Sequence, residues 1–279
     1  HFATICGFSK QEMVDNFMTE IEQMAEFNKW TLEETLAKLK DYYDGYHFCD
    51  TNMIDVYNPY SLVNALNHKR LRSYWASSGA TSLLPKFVND MELHLDDFDH
   101  CSVLRGILET SDVTGGGPEL FLYQSGYITI KDSDEFGYIL GIPNEEVRQA
   151  LNEMVLPALT MRRQGDILSL QANLYRQLGT GMLDDAKKTL RSLIADVPYS
   201  NKKLASMDME ERYRLIISTI LNAIGIRVEV ERMLATGRID LVAWLSRYIY
   251  VIELKLSNNG GIEAAAQNIQ SSRYKETLN

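Results

Sequence analysis

The sequence has few of the features that mark membrane, secreted or zinc-binding proteins. No apolar run approaches the roughly 18–20 residues that a membrane span requires, so we expect no membrane partner. The three cysteines, Cys6, Cys49 and Cys101, are far apart and form no CxxC pair. This predicts reduced thiols in a cytoplasmic protein and no structural zinc site. A GxxxxGK[ST] loop is also absent, so we expect no ATP hydrolysis from this chain.

Negative charge is in excess, but it is unevenly distributed. The formal net charge of -10 argues at first against a nucleic-acid partner. From Arg191 to Asn279, however, 12 Lys and Arg stand against 10 Asp and Glu. The final third is therefore near neutral and is compatible with a nucleic-acid partner.

The first two thirds of the sequence predict mostly helices. Ser9 can cap the run KQEMVDNFMTEIEQMAEF, and a second helical run follows from Thr31. Residues 80–112 and 150–195 also show mostly helical spacing. Two β-rich runs, GYITI and GYIL, flank a polar turn and predict a hairpin, and Asn144 is placed to cap the next helix. Helix, hairpin and helix suggest a winged-helix-like unit, which either contacts DNA or serves as a packing module.

The region from Met207 to Tyr274 predicts a helix, three strands and a helix. Asp208 can cap the first helix, and Gly225 ends it. Three extended runs follow, IRVEVERM, RIDLVAWL and YIYVIELKL. The last two are β-branched and apolar on both faces, which is typical of central strands, and their tight connection predicts a hairpin.

Ionisable residues interrupt these apolar strands at Asp240, Glu253 and Lys255. Residues two apart on a strand share a face, so Glu253 and Lys255 project together, and antiparallel pairing brings Asp240 beside Glu253. Glu210 lies within roughly 50° of the apolar stripe of its helix, so its carboxylate points inward. Carboxylates bind Mg²⁺, and a nearby lysine stabilises charge that develops during phosphodiester cleavage. The alternative is that Glu253 pairs with Lys255 on an edge strand while Asp240 bonds Arg238.

The spacing D-x12-E-x-K on this arrangement resembles the PD-(D/E)XK nuclease superfamily, whose core is α-β-β-β-α. More closely, the chain resembles bacterial proteins that join an AAA-ATPase-like region to a PD-(D/E)XK domain. The matching segments are spread over nearly the whole chain: FATICGFSKQEM, YYDGYHF, VYNPYSLVNAL, YWASSG, GYITIKD, LGIPNEEVR, EERY, VEVE, GRIDLV, YVIELKL and AAAQNIQSSRY. Since the chain starts with His1 rather than Met, we expect a fragment of a longer protein that carries the nucleotide-binding core elsewhere.

The resemblance implies roles for individual residues. Asp240 and Glu253 correspond to the metal-binding carboxylates and Lys255 to the catalytic lysine. Glu210 matches a helix glutamate that such nucleases use at the metal, and Glu231 is a second candidate for that role. The expected cofactor is Mg²⁺ or Mn²⁺.

Further residues are implied as supporting ones. Arg238 would contact phosphate or pair with Asp240. The family has a glutamine six residues before a tyrosine in its last helix. Here Asn268 holds that place before Tyr274, with Gln267 adjacent, so which amide serves the site stays open.

Together these observations predict a chain of mixed α+β and α/β class. Its N-terminal and middle parts are mostly helical with a winged-helix-like hairpin, and a restriction-endonuclease-like α-β-β-β-α core follows. We expect three domains: 1–75, the distal helical part of the ATPase-like region; 76–195, a helical linker domain with the hairpin; and 196–279, the nuclease-like domain.

The expected function is metal-dependent cleavage of nucleic acid, DNA above all, coupled to the protein's own ATPase-like core. ATP would bind only in that core, which this chain lacks. One alternative is a catalytically inactive nuclease fold that binds nucleic acid or a protein partner. Another is a regulator of the ATPase module.

Overall fold

The described part of the chain combines helices with two small antiparallel sheets. The computed structural model describes residues 4–50, 53–75, 101–108, 117–160, 164–195, 207–234, 237–245, 247–256 and 260–271. Each sheet has three strands, which confirms the mixed helix-and-sheet class predicted from the sequence. The chain divides into two compact units, residues 1–151 and 152–279. Within the described residues no helix is long and apolar enough to cross a membrane.

Three helices with side-chain caps open the first unit. They are α1 (Lys10–Asn28), α2 (Leu32–Tyr43) and α3 (Pro59–His68). The helix starts predicted at Ser9 and Thr31 are confirmed, and each is a capping box closed by a glutamate three residues later. Their inner faces form one apolar cluster whose fully buried members include Met13, Ile21, Met24, Leu39 and Leu62.

The predicted hairpin is present in the first unit. Strands β2 (Thr129–Ser133) and β3 (Gly137–Gly141) pair antiparallel, and β1 (Cys101–Leu104) pairs with the other edge of β3. The helical expectation for residues 80–112 is therefore wrong at β1, although α4 (Arg105–Leu108) follows directly. Gly137 permits the close approach of these strands, because a Cβ there would lie 2.0 Å from the Val103 carbonyl oxygen. Residues 76–100 and 109–116 lie outside the described part.

Two further helices flank this sheet along the chain, α5 (Gly117–Gln124) and α6 (Glu145–Thr160). The cap predicted at Asn144 is confirmed, because its Oδ1 accepts the Val147 N–H at 3.1 Å. The neighbouring Glu146 is fully buried, and its Oε1 accepts the N–H groups of Tyr74 and Trp75 at 2.7 and 2.9 Å. Burial raises the pKa of Glu146 to about 7.

Because this pKa lies above the usual value of 4.5, the folded chain binds more protons than the unfolded chain between these two pH values. The stability of the chain should therefore fall as pH rises through this window. We expect Glu146→Gln to remove this loss, since the amide oxygen can still accept the two N–H bonds. At pH 8 the variant should be more stable than wild type by on the order of 3 kcal/mol, with little difference at pH 4.5.

Thermal unfolding at both pH values measures the Glu146 effect. Glu145→Gln is the matched control, because Glu145 is only partly buried beside Arg148 on the same helical turn. A Glu146→Gln effect that is equal at both pH values would contradict a buried, titrating carboxyl.

The described residues of the second unit include, besides the end of α6, three helices before a sheet and one helix after it. Helices α7 (Gln164–Gly179) and α8 (Leu183–Ala195) precede α9 (Met209–Ala223), and α10 (Gly261–Ser271) follows the sheet. Their shared core includes Leu174, Leu193, Ile216, Ile220 and Leu241. Helices α7 and α8 thus share one apolar core with α9 and β5. The sequence predicts that α7 and α8 belong to the middle domain and that α9 and β5 belong to a separate C-terminal domain.

The sheet of the second unit has the order β4-β5-β6, with β4 (Arg227–Leu234), β5 (Gly237–Trp244) and β6 (Ile249–Ile252). Both neighbouring pairs are antiparallel. Strand β5 pairs on both sides, whereas the residues of β6 are exposed or only partly buried. The prediction that the last two strands are both buried in the centre of the sheet is therefore wrong for β6. Ile249, at the start of β6, is 41% exposed.

Candidate active site

Helix α9 carries two charged side chains towards one end of the sheet. Asp208 caps the helix by accepting the Glu210 N–H at 3.0 Å, and Gly225, at φ 77°, allows the turn that ends it. Glu210 and Arg214 are four residues apart and so lie on the same face of α9. Both side chains are largely shielded from solvent, with 21% and 14% of their surfaces exposed.

The end of β6 is set by two carboxylates. Regular pairing with β5 stops at the Leu241–Ile252 pair. Beyond it, the Leu254 N–H donates to Asp240 Oδ2 at 2.9 Å, and the Leu256 N–H donates to Glu210 Oε1 at 3.0 Å. The observed strand β6 is therefore shorter than the predicted run YIYVIELKL. Beyond Ile252, side-chain oxygens and not a neighbouring strand accept the backbone N–H groups.

Lys255 lies between Leu254, whose N–H donates to Asp240, and Leu256, whose N–H donates to Glu210. Its Nζ donates to Glu210 Oε2 at 3.1 Å. That contact, with smaller contributions from Asp240 and Glu253, raises the pKa of Lys255 above its usual value against the opposing effect of burial. The amine is consequently a permanent cation at neutral pH, set among three carboxylates.

Glu253 follows directly after the end of β6. It is half-buried, and continuing the β5–β6 register by one position sets it opposite Asp240, which is itself buried. Asp240 thus lies within β5, and Glu253 and Lys255 lie in the segment that follows β6.

Arg214 is a member of the site that the sequence pattern did not single out. Its Nη2 lies 3.0 Å from Glu231 Oε1, and its Nη1 lies 3.7 Å from Asp240 Oδ1. Arg238, predicted to contact phosphate or Asp240, lies 3.1 Å from Glu231 Oε1 through its Nη1. Its predicted role stays a prediction. The spacing of four residues from Glu210 is the signal that identifies Arg214 as inward-facing.

The remaining predicted residues lie on or beyond the last helix. Gln267 and Asn268 occupy exposed positions of α10. Tyr274 lies outside the described residues, so the predicted pairing of an amide with this tyrosine stays a prediction.

The chemistry of the donor set fits a divalent cation. Asp240, Glu253 and Glu210 supply carboxylate oxygens, the hard ligands that Mg²⁺ and Mn²⁺ prefer. In the described part of the chain, no three His, Cys, Asp or Glu side chains are already grouped around one ion position. Both oxygens of Glu210 accept hydrogen bonds, from Lys255 and from the Leu256 N–H, so Glu210 must reorient to bind an ion. Asp240 accepts the Leu254 N–H through Oδ2 and would bind an ion through Oδ1.

Comparison with known proteins gives one distant relative. A protein of Azotobacter chroococcum mcd 1, described as an uncharacterized protein in the vnfD 5′ region, is 23% identical over 289 residues. The match covers 99% of this chain and 52% of the relative, so the chain spans about half the length of the protein it matches. No family model and no solved structure matches the chain.

Proposed function

We propose that the second unit is a metal-dependent nuclease domain of the PD-(D/E)XK type that cleaves phosphodiester bonds in DNA. The observation that carries this proposal is the position of Lys255, in contact with Glu210 and influenced by the charges of Asp240 and Glu253. The order helix, three antiparallel strands, helix supports it, since the α-β-β-β-α core of these nucleases has the same order.

Each residue of the site has a distinct task in this proposal. Asp240 and Glu253 would hold Mg²⁺ or Mn²⁺, with Glu210 as a further ligand. The ion, when bound, would lower the pKa of water and neutralise charge on the phosphate. Lys255 stays protonated because its pKa is raised, so it acts as a donor to the charged phosphate oxygens rather than as a general base.

The charge of the two units supports an anionic substrate at the second unit. Residues 1–151 contain 11 Lys and Arg against 24 Asp and Glu, a formal charge of -13. Residues 152–279 contain 17 against 14, a formal charge of +3. A polyanion is therefore repelled far less by the second unit. The proposal also includes a cytoplasmic location and coupling to an ATPase-like core in the longer protein.

Incubation of the purified chain with supercoiled plasmid tests the activity. We expect nicked product with Mg²⁺ or Mn²⁺ and none with excess EDTA, because the cation supplies the charge that stabilises the transition state. Single-stranded DNA and RNA of equal length, assayed in parallel, establish the preferred substrate. Cleavage that persists unchanged in EDTA would contradict a metal-dependent site.

A second candidate function is a catalytically inactive fold that binds nucleic acid or a protein partner. The observation in its favour is that Lys255 already pairs with Glu210, and Arg214 with Glu231, without a metal. This candidate predicts salt-sensitive DNA binding with no cleaved product. If it regulates the ATPase module instead, removing residues 200–279 from the full-length protein should change the rate of ATP hydrolysis.

A further inference from the structure

We propose that Glu231 is a positioning residue that holds the Arg214 guanidinium back from Asp240 and so leaves Asp240 open to a divalent cation. This inference rests on the proposed metal site. In this inference Glu231 is not a direct metal ligand, and Arg214 is the cation whose position Glu231 controls.

The two oxygens of Asp240 have different surroundings. Oδ2 accepts the Leu254 N–H at 2.9 Å, so it is committed to holding the end of β6. Oδ1 faces Arg214 Nη1 at 3.7 Å, which is longer than a hydrogen bond. Oδ1 is therefore the oxygen through which a cation would bind, and Arg214 is the group that would compete for it.

Arg214 is drawn away from Asp240 by Glu231. The distance from Arg214 Nη2 to Glu231 Oε1 is 3.0 Å, within the range of a charge-assisted hydrogen bond. Arg214 is largely shielded, with 14% of its side chain exposed, so its charge needs a carboxylate partner close by. Glu231 supplies that partner and Asp240 is the nearby alternative.

The backbone supports a dedicated role for Glu231. Its φ of 53° lies in the left-handed region, which a non-glycine residue seldom adopts within a strand. On either side, Val230 pairs with Leu241 and Arg232 pairs with Ile239, so Glu231 lies between these two pairs at the level of Asp240. The irregularity in β4 thus coincides with the position opposite Asp240.

A double-mutant cycle on the whole chain, read by calorimetric titration with Mn²⁺, tests this inference. Glu231→Gln should weaken Mn²⁺ binding about tenfold or more, because the released guanidinium then pairs with Asp240. Arg214→Met should bind Mn²⁺ at least as tightly as wild type. The double variant should match Arg214→Met, because position 214 then has no guanidinium to pair with Asp240 Oδ1.

Several results would overturn the inference. One is a Glu231→Gln variant that binds Mn²⁺ as tightly as wild type. Another is a double variant that binds Mn²⁺ as weakly as Glu231→Gln, because that result would make Glu231 a direct ligand. Glu229→Gln, on the same strand and paired with Arg227, is the matched control and should leave binding unchanged. Arg214→Gln repeats the cycle with a polar replacement in case Arg214→Met fails to fold. Absence of Mn²⁺ binding in wild type would remove the proposed function together with this inference.

Discussion

Lys255→Ala is expected to reduce phosphodiester cleavage about 100-fold or more while the chain stays folded. The substitution removes the ammonium group that lies 3.1 Å from Glu210. This group is the proposed donor to the phosphate oxygens of the substrate. The Leu254 and Leu256 amides, which fix the segment to Asp240 and Glu210, do not depend on the lysine side chain. Plasmid nicking rates, with circular dichroism to establish folding, measure this effect.

A matched lysine provides the control for Lys255→Ala. Lys188 Nζ lies 3.0 Å from Asp185 Oδ1, a similar contact, but its side chain is 77% exposed on α8. Lys188→Ala should cleave at the wild-type rate. Equal cleavage by wild type and Lys255→Ala would identify the activity as a contaminant and remove the enzymatic proposal.

Asp240→Asn is expected to weaken Mn²⁺ binding about 100-fold and to abolish cleavage. The amide oxygen can still accept the Leu254 N–H, so the geometry at the end of β6 should survive. The lost property is the negative charge that a divalent cation requires. Thermal stability should change much less than metal affinity, because Arg214 keeps its stronger contact with Glu231.

An exposed aspartate tests whether net charge alone explains the Asp240 result. Asp184 is 92% exposed and lies 3.7 Å from Lys187, so Asp184→Asn makes the same change in net charge on the surface. Its Mn²⁺ affinity and cleavage rate should equal those of wild type. If Asp240→Asn binds Mn²⁺ normally, Asp240 is not a metal ligand.

Features governed by neighbouring residues were predictable from the sequence. The helix starts at Ser9 and Thr31 follow from capping residues that contact their own first turn. The β2–β3 hairpin follows from two β-rich runs around a polar turn. The cap at Asn144 likewise follows from a residue that contacts its own first turn.

Features governed by distant partners were not predictable in this way. Strand β1 exists because it pairs with β3 more than thirty positions later, which its own helical context does not reveal. The early end of β6 depends on the Asp240 and Glu210 side chains, which come from two other elements. Arg214 resembles an ordinary surface arginine until the fold sets it between Glu231 and Asp240.

A crystal of the chain soaked in Mn²⁺, with anomalous scattering measured near the manganese edge, tests the shared cation most directly. The proposed site predicts one anomalous peak at roughly 2.2 Å from carboxylate oxygens of both Asp240 and Glu253, with the Lys255 amine nearby. The contradicting result is a crystal at saturating Mn²⁺ with no anomalous peak near Asp240 and Glu253. In that crystal Asp240 would still face Arg214, and Glu210 would still pair with Lys255.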